Sequence, residues 1–376
     1  MRVLMTTDAV GGVWAHSLTL GQALGARGVA VRLAVLGPAP GAAQVAAAEA
    51  AGLPLVAYPC RLEWQDGGGA DLAPSAAWLR EQAEEHRADL VHSNQFAYGA
   101  YHLGRPVLVV GHSDILSWQA WCHPPGAPVW PPWAAFLEEY RAVVAAGLRE
   151  ATALAASSHF MADNLRAIYG IHPAHGIAVL PNGIHLPAAP PTPRPASSPL
   201  HVLAAGRVWD AAKNLGVLAQ AVGVGLPGVE VAVAGPLVGP DGEGAEAVAG
   251  LRAATGITWL GALPPDAMAA RMQTAHIFVG ASRYEPFGLA PLEAAAAGCA
   301  LLLADIPAFR ELWGGVARFF PPDDAGALRG LLHEWAAHPA QVAEWAARAQ
   351  GHAGQYTAAR MAADYHHLYE RIVATP

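Results

Sequence analysis

Residues 277–303 read IFVGASRYEPFGLAPLEAAAAGCALLL, and this stretch points to the fold of the chain. It opens with an apolar strand that ends near Ala281, and a polar loop follows. A helix should begin at about Leu289, because Pro291 then falls in its first turn, where a missing N–H costs nothing. Gly298 should end that helix before a second apolar run. A strand, a helix and a strand in this order predict a βαβ unit of a parallel sheet.

Short apolar runs alternate with helix-length segments on both sides of this stretch. Residues 186–200 interrupt the pattern with six prolines and predict a semi-rigid linker. We therefore expect an α/β fold of two doubly wound, Rossmann-like domains at 1–190 and 198–355. The tail at 356–376 has helical periodicity and suits packing on either domain. Further strands are expected at 2–6, 29–36, 89–92, 106–112, 152–157, 177–180, 201–205, 229–234, 257–260, 300–304 and 316–320.

The composition limits the classes of protein that this chain can belong to. Its 376 residues are 53% hydrophobic and 14% charged, which suits large buried cores and excludes a disordered protein. A net charge of −8 disfavours sequence-independent binding to nucleic acid or to an anionic membrane. Cys60, Cys122 and Cys299 are scattered and predict no disulfide framework. Asp8 comes too early for a signal-peptide core, so we expect a soluble, cytoplasmic protein.

Two glutamates of the quoted stretch are candidates for a binding site. Glu285 lies in the loop, whereas Glu293 falls in an otherwise apolar helix, so we expect Glu293 to be buried with a partner. The N–H groups around Gly288 and Leu289 should direct positive partial charge toward the crevice at the strand end. The alternative is a solvated loop carboxylate beside a polar helix face.

A second candidate site lies in AGRVWDAAKN at residues 205–214, at the end of the first strand after the linker. Arg207 and Lys213, the only lysine of the chain, would project into the crevice where open α/β sheets bind diphosphates. An arginine and a lysine near a strand end are often simply exposed. Together with Glu285 and Glu293 on the same sheet, however, they predict a functional site.

Other nucleotide-binding and metal-binding motifs do not fit this sequence. Gly223, Gly225 and Gly228 match G-x-G-x-x-G, but they precede a strand, whereas the phosphate-binding motif follows a strand and opens a helix. The absence of a P-loop motif excludes a P-loop kinase or ATPase. There is no HExxH motif and no D-x-D pair, so nothing argues for a bound metal or another cofactor.

Two features of the first half of the chain are ambiguous. Gly11 and Gly12 directly follow the first strand, which suits close approach of a ligand, although a tight strand–helix turn also needs glycine. His112 ends the apolar run at 106–112, where ligands gather at a strand end. A histidine at such a place is often only a hydrogen-bonded crevice residue, so both interpretations stay open.

The segment 118–133 holds four tryptophans and five prolines, and its proline-rich half cannot form a regular helix. The indoles could simply cap the core under a rigid loop. They could also form a platform for an acceptor sugar or a membrane-interface patch. Our hypothesis is acceptor contact through Trp118, Trp130 and Trp133, because the segment closely follows His112.

The pairing of GRVWDAAKN at 206–214 with EPFGLAPLE at 285–293 resembles the retaining glycosyltransferases of family 4, which have the GT-B fold. The likeness runs through most of the chain. DAVGGVWAHS at 8–17 resembles the glycine loop of that family, and PNG at 181–183 resembles the end of its first domain. The last helix resembles the one that crosses back onto the first domain.

The resemblance implies a role for each candidate residue. Arg207 and Lys213 would hold the diphosphate of the donor. Glu293 would bind the ribose and Glu285 the hydroxyls of the transferred sugar, while His112 would lie by the reacting face of that sugar. The resemblance also places the nucleotide base of the donor near the loop 261–263. The other donor-site residues that it implies are Gly11, Gly12, Gly261, Leu263, Phe287, Gly288 and Leu289.

Two features depart from the family pattern. Five residues separate Arg207 from Lys213, where the family commonly has four. Asn214 stands where glycine is usual. Both departures concern the geometry of the loop that carries Lys213.

The activity that the resemblance implies is transfer of a hexosyl group from a UDP- or GDP-sugar to a hydroxyl acceptor, with retained anomeric configuration. Fixed positive groups would stabilise the departing diphosphate, so no metal or other cofactor is expected. The acceptor can be a glycan, a lipid-linked sugar or a small metabolite, with at most weak peripheral membrane contact. The alternatives are a nucleotide-sugar epimerase or phosphorylase on the same fold, and a non-catalytic nucleotide-sugar-binding subunit.

Overall fold

The computed structural model describes residues 1–123, 131–172, 176–187, 199–239, 242, 244–252 and 255–374. The chain forms two compact units. Met1–His185 and Thr357–Pro376 make the first unit, and Leu186–Tyr356 make the second. Residues 188–198, most of the segment expected to be a linker, lie outside the described part of the chain.

In its described residues, the first unit has a sheet of seven parallel strands in the order β3-β2-β1-β4-β5-β6-β7. The strands are β1 (Arg2–Asp8), β2 (Ala30–Gly37), β3 (Leu55–Pro59), β4 (Leu90–Ser93), β5 (Val107–Gly111), β6 (Ala153–Ala156) and β7 (Ile177–Val179). The helices between them are α1 (Gly12–Gly25), α2 (Ala42–Ala50), α3 (Gly69–Glu85), α4 (Ile115–Cys122), α5 (Pro131–Glu150) and α6 (His159–Tyr169).

The described part of the second unit has a sheet of six parallel strands in the order β10-β9-β8-β11-β12-β13. The strands are β8 (Leu200–Ala205), β9 (Val229–Ala234), β10 (Ile257–Gly261), β11 (Ile277–Gly280), β12 (Ala300–Ala304) and β13 (Arg318–Phe320). The helices are α7 (Leu215–Val222), α8 (Ala245–Leu251), α9 (Pro265–Thr274), α10 (Leu289–Ala296), α11 (Pro307–Trp313), α12 (Ala325–Ala337) and α13 (Pro339–Ala353).

The last helix, α14 (Ala358–Ala374), belongs to the first unit. A parallel bridge joins Ile184 to Thr357, and the Ala358 N–H donates to the Ile184 carbonyl at 2.8 Å. The buried rings of Tyr365 and Tyr369 then pack with α1 and β1 in one apolar cluster. The end of the chain is therefore part of the core of the first unit.

The sheet of the first unit separates two apolar clusters because successive strand residues point to opposite faces. Val3 and Met5 of β1 lie in the cluster that contains α14, whereas Leu4 lies in the other one. All three side chains are fully buried. Strands covered on both faces in this way explain the continuous apolar runs in the sequence.

The expected α/β fold of two doubly wound sheets is confirmed. Helix α10 begins at Leu289, and Gly223 ends α7 before β9 instead of opening a helix, as the sequence indicates. The sequence pattern gives no sign of β3. That strand lies at a sheet edge, its residues are only partly buried or exposed, and it ends in Pro59.

Gly235 follows β9 at a place where no side chain fits. Its φ is +144°, and a Cβ atom would lie 1.8 Å from the carbonyl oxygen of Gly206. We expect Gly235→Ala to lower the free energy of unfolding by about 3 kcal/mol, because backbone must shift to relieve the clash.

Gly330→Ala is the matched control for this substitution. Gly330 lies inside α12, and a Cβ atom there meets nothing within 4 Å. Alanine should therefore raise the free energy of unfolding by up to about 1 kcal/mol. Denaturant titrations measure both variants, and equal stability of the two would contradict this account of Gly235.

Candidate active site

Two loops of the second unit leave the sheet at neighbouring strand ends. β8 and β11 lie side by side although they are far apart in the chain, so the strand order reverses between them. We call this place the switch point of the second sheet. Open α/β sheets bind ligands in the crevice outside the carboxyl ends of the strands at such a point. Arg207 and Lys213 follow β8, and Glu285 follows β11.

Arg207 is held by a carboxylate of its own loop. Its Nη2 and Nε donate to Oδ2 of Asp210 at 2.6 and 3.0 Å. Asp210 is only 4% exposed, and its Oδ1 accepts from the Ala212 N–H at 2.9 Å. The Arg207 side chain is 46% exposed, and its guanidinium carbon lies 5.7 Å from the centroid of the Trp209 ring. Asp210 thus orients a guanidinium that a solvent-borne anion can still reach.

Lys213 joins the two loops. Its Nζ lies 2.5 Å from Oε2 of Glu285, across 72 positions of sequence. The two side chains are 21% and 17% exposed, so the pair is half-buried. A fixed cation and a fixed anion therefore lie side by side at the switch point.

The loop that carries Lys213 has one residue more than the family pattern, yet Lys213 still contacts Glu285. Ala211–Lys213 form a single 3₁₀ turn, and Asn214 follows in the left-handed conformation with φ 47° and ψ 36°. Asparagine adopts that conformation more readily than most residues other than glycine. Its Nδ2 donates to the carbonyls of Ala281 and Pro322 at 3.2 and 2.7 Å. Asn214 thus replaces the usual glycine and ties the loop to the end of β11.

Gly288 lets the Glu285 loop turn directly into α10. It adopts φ 91° and ψ 72°, and no described side chain caps the helix that it opens. A Cβ atom there would lie 3.0 Å from the Phe309 ring and 3.4 Å from Cγ of Glu285. The first N–H groups of α10, beginning at Leu289, therefore present positive partial charge close to Glu285. The side chain of Phe287 is buried, so it is not exposed to a ligand at this place.

The structure corrects the prediction that Glu293 is buried. The apolar sequence around it predicts a buried carboxylate with a partner, but the side chain is exposed on α10 while its neighbours Leu292 and Ala294 are buried. The polar residue occupies the open face of the helix. Surrounding protein still removes enough water to raise the pKa of the Glu293 carboxyl. The carboxylate is thus accessible to a ligand.

Backbone contacts align the loops after β8, β9 and β10. The Gly206 N–H donates to the Ala234 carbonyl at 3.0 Å, and the Gly235 N–H donates to the Gly261 carbonyl at 2.8 Å. Gly261 has φ 68°, with open space where a Cβ atom would lie. Gly261 and the half-buried Leu263 therefore lie two strands from the Arg207 loop, on the same edge of the sheet.

The glycine loop of the first unit follows β1. Gly11 has φ 75° and ψ −145°, which favours glycine, and Gly12 is the first residue of α1. Both glycines are exposed. Asp8 ends β1 immediately before them, where burial raises the pKa of its carboxyl to about 6 and its Oδ1 accepts from the Val10 N–H at 2.7 Å. Asp8 is not among the candidates from sequence, and its place at the strand end is the signal for it.

His112 lies at the end of β5 among buried polar side chains that the sequence analysis does not single out. Its Nε2 is 2.8 Å from Oδ1 of Asn94, and the His16 ring lies edge-on to it at 4.5 Å between centroids. His92 reaches the same Asn94 oxygen at 3.0 Å. Burial lowers the pKa of His112 to about 4 and that of His92 to about 3. These histidines are therefore neutral at neutral pH.

The tryptophan segment is described only in part. Trp118 lies in α4, partly buried, with its ring 5.2 Å from that of His123 in a T-shaped contact. Trp130 lies outside the described residues, and Trp133 is in α5 with its side chain outside the described part. Acceptor contact through these residues stays a prediction.

Two family models match the chain in succession. The model for Glycosyltransferase Family 4 matches residues 10–187, and the model for Glycosyl transferases group 1 matches residues 199–335. This chain is a family 4 glycosyltransferase. The epimerase and the non-catalytic binding subunit are therefore set aside, since the protein is a glycosyltransferase enzyme.

Solved structures resemble this glycosyltransferase over its whole length. Sucrose-phosphate synthase from Thermosynechococcus elongatus matches with a TM-score of 0.79 and 19% identity over 100% of both chains. A glycosyltransferase from Rickettsia africae matches with a TM-score of 0.75 and 16% identity over 100% of this chain and 99% of its own. HepE from Anabaena, in complex with UDP-glucose, matches with a TM-score of 0.77 and 18% identity over 99% of this chain and 100% of its own. The likeness to these structures confirms the GT-B fold. A comparison with curated proteins found no match.

Further features of the glycosyltransferase concern metals, thiols and membranes. Among the residues that the structure describes, no group of three or more His, Cys, Asp or Glu side chains is placed to hold a metal ion. Cys60, Cys122 and Cys299 form no disulfide with one another. Among the described helices, none is both long enough and apolar enough to cross a bilayer.

Proposed function

We propose that this glycosyltransferase moves a hexosyl group from a UDP- or GDP-sugar to a hydroxyl acceptor with retention of configuration. The observation that carries the proposal is the Lys213–Glu285 ion pair beside the exposed guanidinium of Arg207. It lies at the switch point of the second sheet, where open α/β sheets hold diphosphates. HepE from Anabaena, which shares the fold, was solved with UDP and with UDP-glucose, and this supports a nucleotide-sugar donor.

Departure of the diphosphate is the difficult step of such a transfer. Negative charge grows on the leaving oxygen while the sugar becomes oxocarbenium-like. Arg207, Lys213 and the first N–H groups of α10 are fixed positive groups that would stabilise this charge. One preorganised donor of this kind typically lowers the barrier by about 3–4 kcal/mol. Because the chain itself supplies positive charge at this place, we propose a reaction that needs no divalent cation.

The two glutamates then bind hydroxyl groups instead of attacking the sugar. Glu285 is paired with Lys213, and we assign it to the hydroxyls of the transferred sugar. The exposed Glu293 is assigned to the ribose. In a front-face attack, the acceptor oxygen bonds to the anomeric carbon on the side from which the diphosphate departs. The leaving phosphate takes the proton of the acceptor hydroxyl.

Turnover of nucleotide sugars in the presence of EDTA tests the proposal. The protein is incubated with a panel of UDP- and GDP-hexoses in their α-configuration, with water as the acceptor. Released nucleoside diphosphate is measured, and proton NMR identifies the first anomer of the freed sugar. We expect at least one donor to be consumed and the α-sugar to appear first. Turnover that requires added Mg²⁺, a β-sugar as the first product, or no turnover of any donor would contradict the proposal.

A further inference from the structure

One amide side chain lies at the centre of the buried histidine cluster. Asn94 directly follows β4, and its Oδ1 lies 2.8 Å from Nε2 of His112 and 3.0 Å from Nε2 of His92. Asn94 and His92 are buried. A single oxygen that faces two imidazole nitrogens constrains where the protons of both rings can be.

The other end of the amide fixes its orientation. Nδ2 of Asn94 lies 2.7 Å from the backbone carbonyl oxygen of Thr6, which can only accept a hydrogen bond. It also lies 3.3 Å from Oγ of Ser17. The NH₂ group must therefore face Thr6, and the carbonyl oxygen of the side chain must face the two histidines.

An amide oxygen accepts hydrogen bonds and has no proton to donate, so each imidazole nitrogen facing it must carry a proton. The lowered pKa values of His112 and His92 leave each ring neutral, with one proton only. Both rings are then protonated on Nε2 and bare on Nδ1. His92 agrees with this assignment, because the Tyr369 hydroxyl lies 2.6 Å from its Nδ1 and has a proton to donate.

We propose that Asn94 is a positioning residue that locks His112 in the Nε2-protonated tautomer and makes Nδ1 an obligate acceptor for a hydroxyl of a sugar ligand. Nδ1 of His112 has no hydrogen-bond partner among the described residues. A sugar hydroxyl can donate to it, whereas an ether oxygen, a fluorine or a carboxylate cannot. A sugar that binds against His112 would therefore need a hydroxyl at the position that faces Nδ1. The ligand rests on the proposed function, but the tautomer follows from the first unit alone.

Nitrogen NMR of ¹⁵N-histidine-labelled protein reads the tautomer directly. A bare imidazole nitrogen and a protonated one differ widely in chemical shift, and long-range proton correlations tell Nδ1 from Nε2. His112→Gln and His92→Gln assign the two rings by loss of their signals. We expect both rings of the wild-type protein to be protonated on Nε2 alone at neutral pH. A proton on Nδ1 of His112, a mixture of tautomers or an imidazolium would overturn the proposal.

Asn94→Leu removes the acceptor at similar side-chain size, and His112 should then become a mixture of tautomers. Ser17→Ala is the matched control, because it removes a partner of Nδ2 and leaves Oδ1 in place. The His112 signals of Ser17→Ala should match the wild type. An unchanged tautomer in folded Asn94→Leu would overturn the role of Asn94, and the wild-type spectrum decides the tautomer even if that variant does not fold.

The sugar contact is tested with UDP-glucose as the donor. Asn94→Leu should lower kcat about 10- to 100-fold with UDP affinity unchanged, because a sugar hydroxyl that loses its acceptor is left without a hydrogen-bond partner. Wild-type kcat together with an altered tautomer would overturn the acceptor role of His112. If the wild-type protein turns over no nucleotide sugar, the proposed function fails, while the NMR result on the tautomer stands by itself.

Discussion

Replacement of Glu285 by glutamine is expected to lower the rate of glycosyl transfer by about 100- to 1000-fold. The carboxylate would accept hydrogen bonds from sugar hydroxyls, and bonds to a charged group contribute about 1.5–3 kcal/mol each. The neutral amide of glutamine weakens two such bonds without abolishing them, which corresponds to roughly two to three powers of ten in rate. The substitution also removes the counter-ion of Lys213, whose Nζ lies 2.5 Å away. Affinity for the nucleoside diphosphate should change little, since that part of the donor would lie against Arg207 and Lys213.

The measurement is kcat with a turned-over nucleotide sugar, together with calorimetric titration of UDP or GDP. Glu344→Gln is the control, because Glu344 is an exposed carboxylate of α13 in the same unit. That variant should behave as the wild type in both assays. Wild-type turnover by Glu285→Gln would remove Glu285 from the site, and loss of nucleotide binding would assign it a different role.

Lys213→Met should lower kcat by about 10²–10³-fold, the second large effect that the site predicts. Methionine keeps most of the length of the side chain but loses the charge that would stabilise the departing diphosphate. Lys213→Arg should not restore the rate fully, because a planar guanidinium does not place a compact charge at the same point. Single-turnover rates with saturating donor separate this effect from weaker binding.

The Lys213→Met/Glu285→Gln double variant separates the roles of the two partners. If each group acts on its own part of the donor, the two losses in activation free energy should nearly add. If Glu285 acts only by holding Lys213, the double variant should be no slower than Lys213→Met. That second result would contradict the assignment of Glu285 to the sugar.

Much of the fold is readable from the sequence because its signals are local. Pro291 marks the first turn of α10, and the buried parallel strands appear as continuous apolar runs. The order of a strand, a turn and a helix decides whether a glycine motif fits, which is why Gly223 does not mark a phosphate site. β3 lacks a comparable signal, since a short edge strand has no fully buried run.

The candidate site is readable only where the motif residues themselves carry the chemistry. Arg207, Lys213 and Glu285 are such residues, and the structure brings the last two within 2.5 Å. Asn94 gains its role from contacts with residues distant in sequence, which no local pattern announces. Asp210 contacts Arg207 within its own loop, but the motif does not specify that contact. The exposure of Glu293 on α10 is likewise not evident from the sequence. An apolar helix sequence does not reveal which of its faces is left uncovered.

Calorimetric titration of UDP and GDP tests most directly whether the Arg207 loop binds a diphosphate. The wild-type protein should bind at least one of the two, and Arg207→Ala should bind it at least about 10-fold more weakly. Arg310→Ala is the control, since Arg310 is an exposed arginine paired with Asp305 at 2.6 Å in the same unit, and it should bind as the wild type does. Equal affinity of Arg207→Ala and the wild type, or no binding of either nucleotide, would contradict the account.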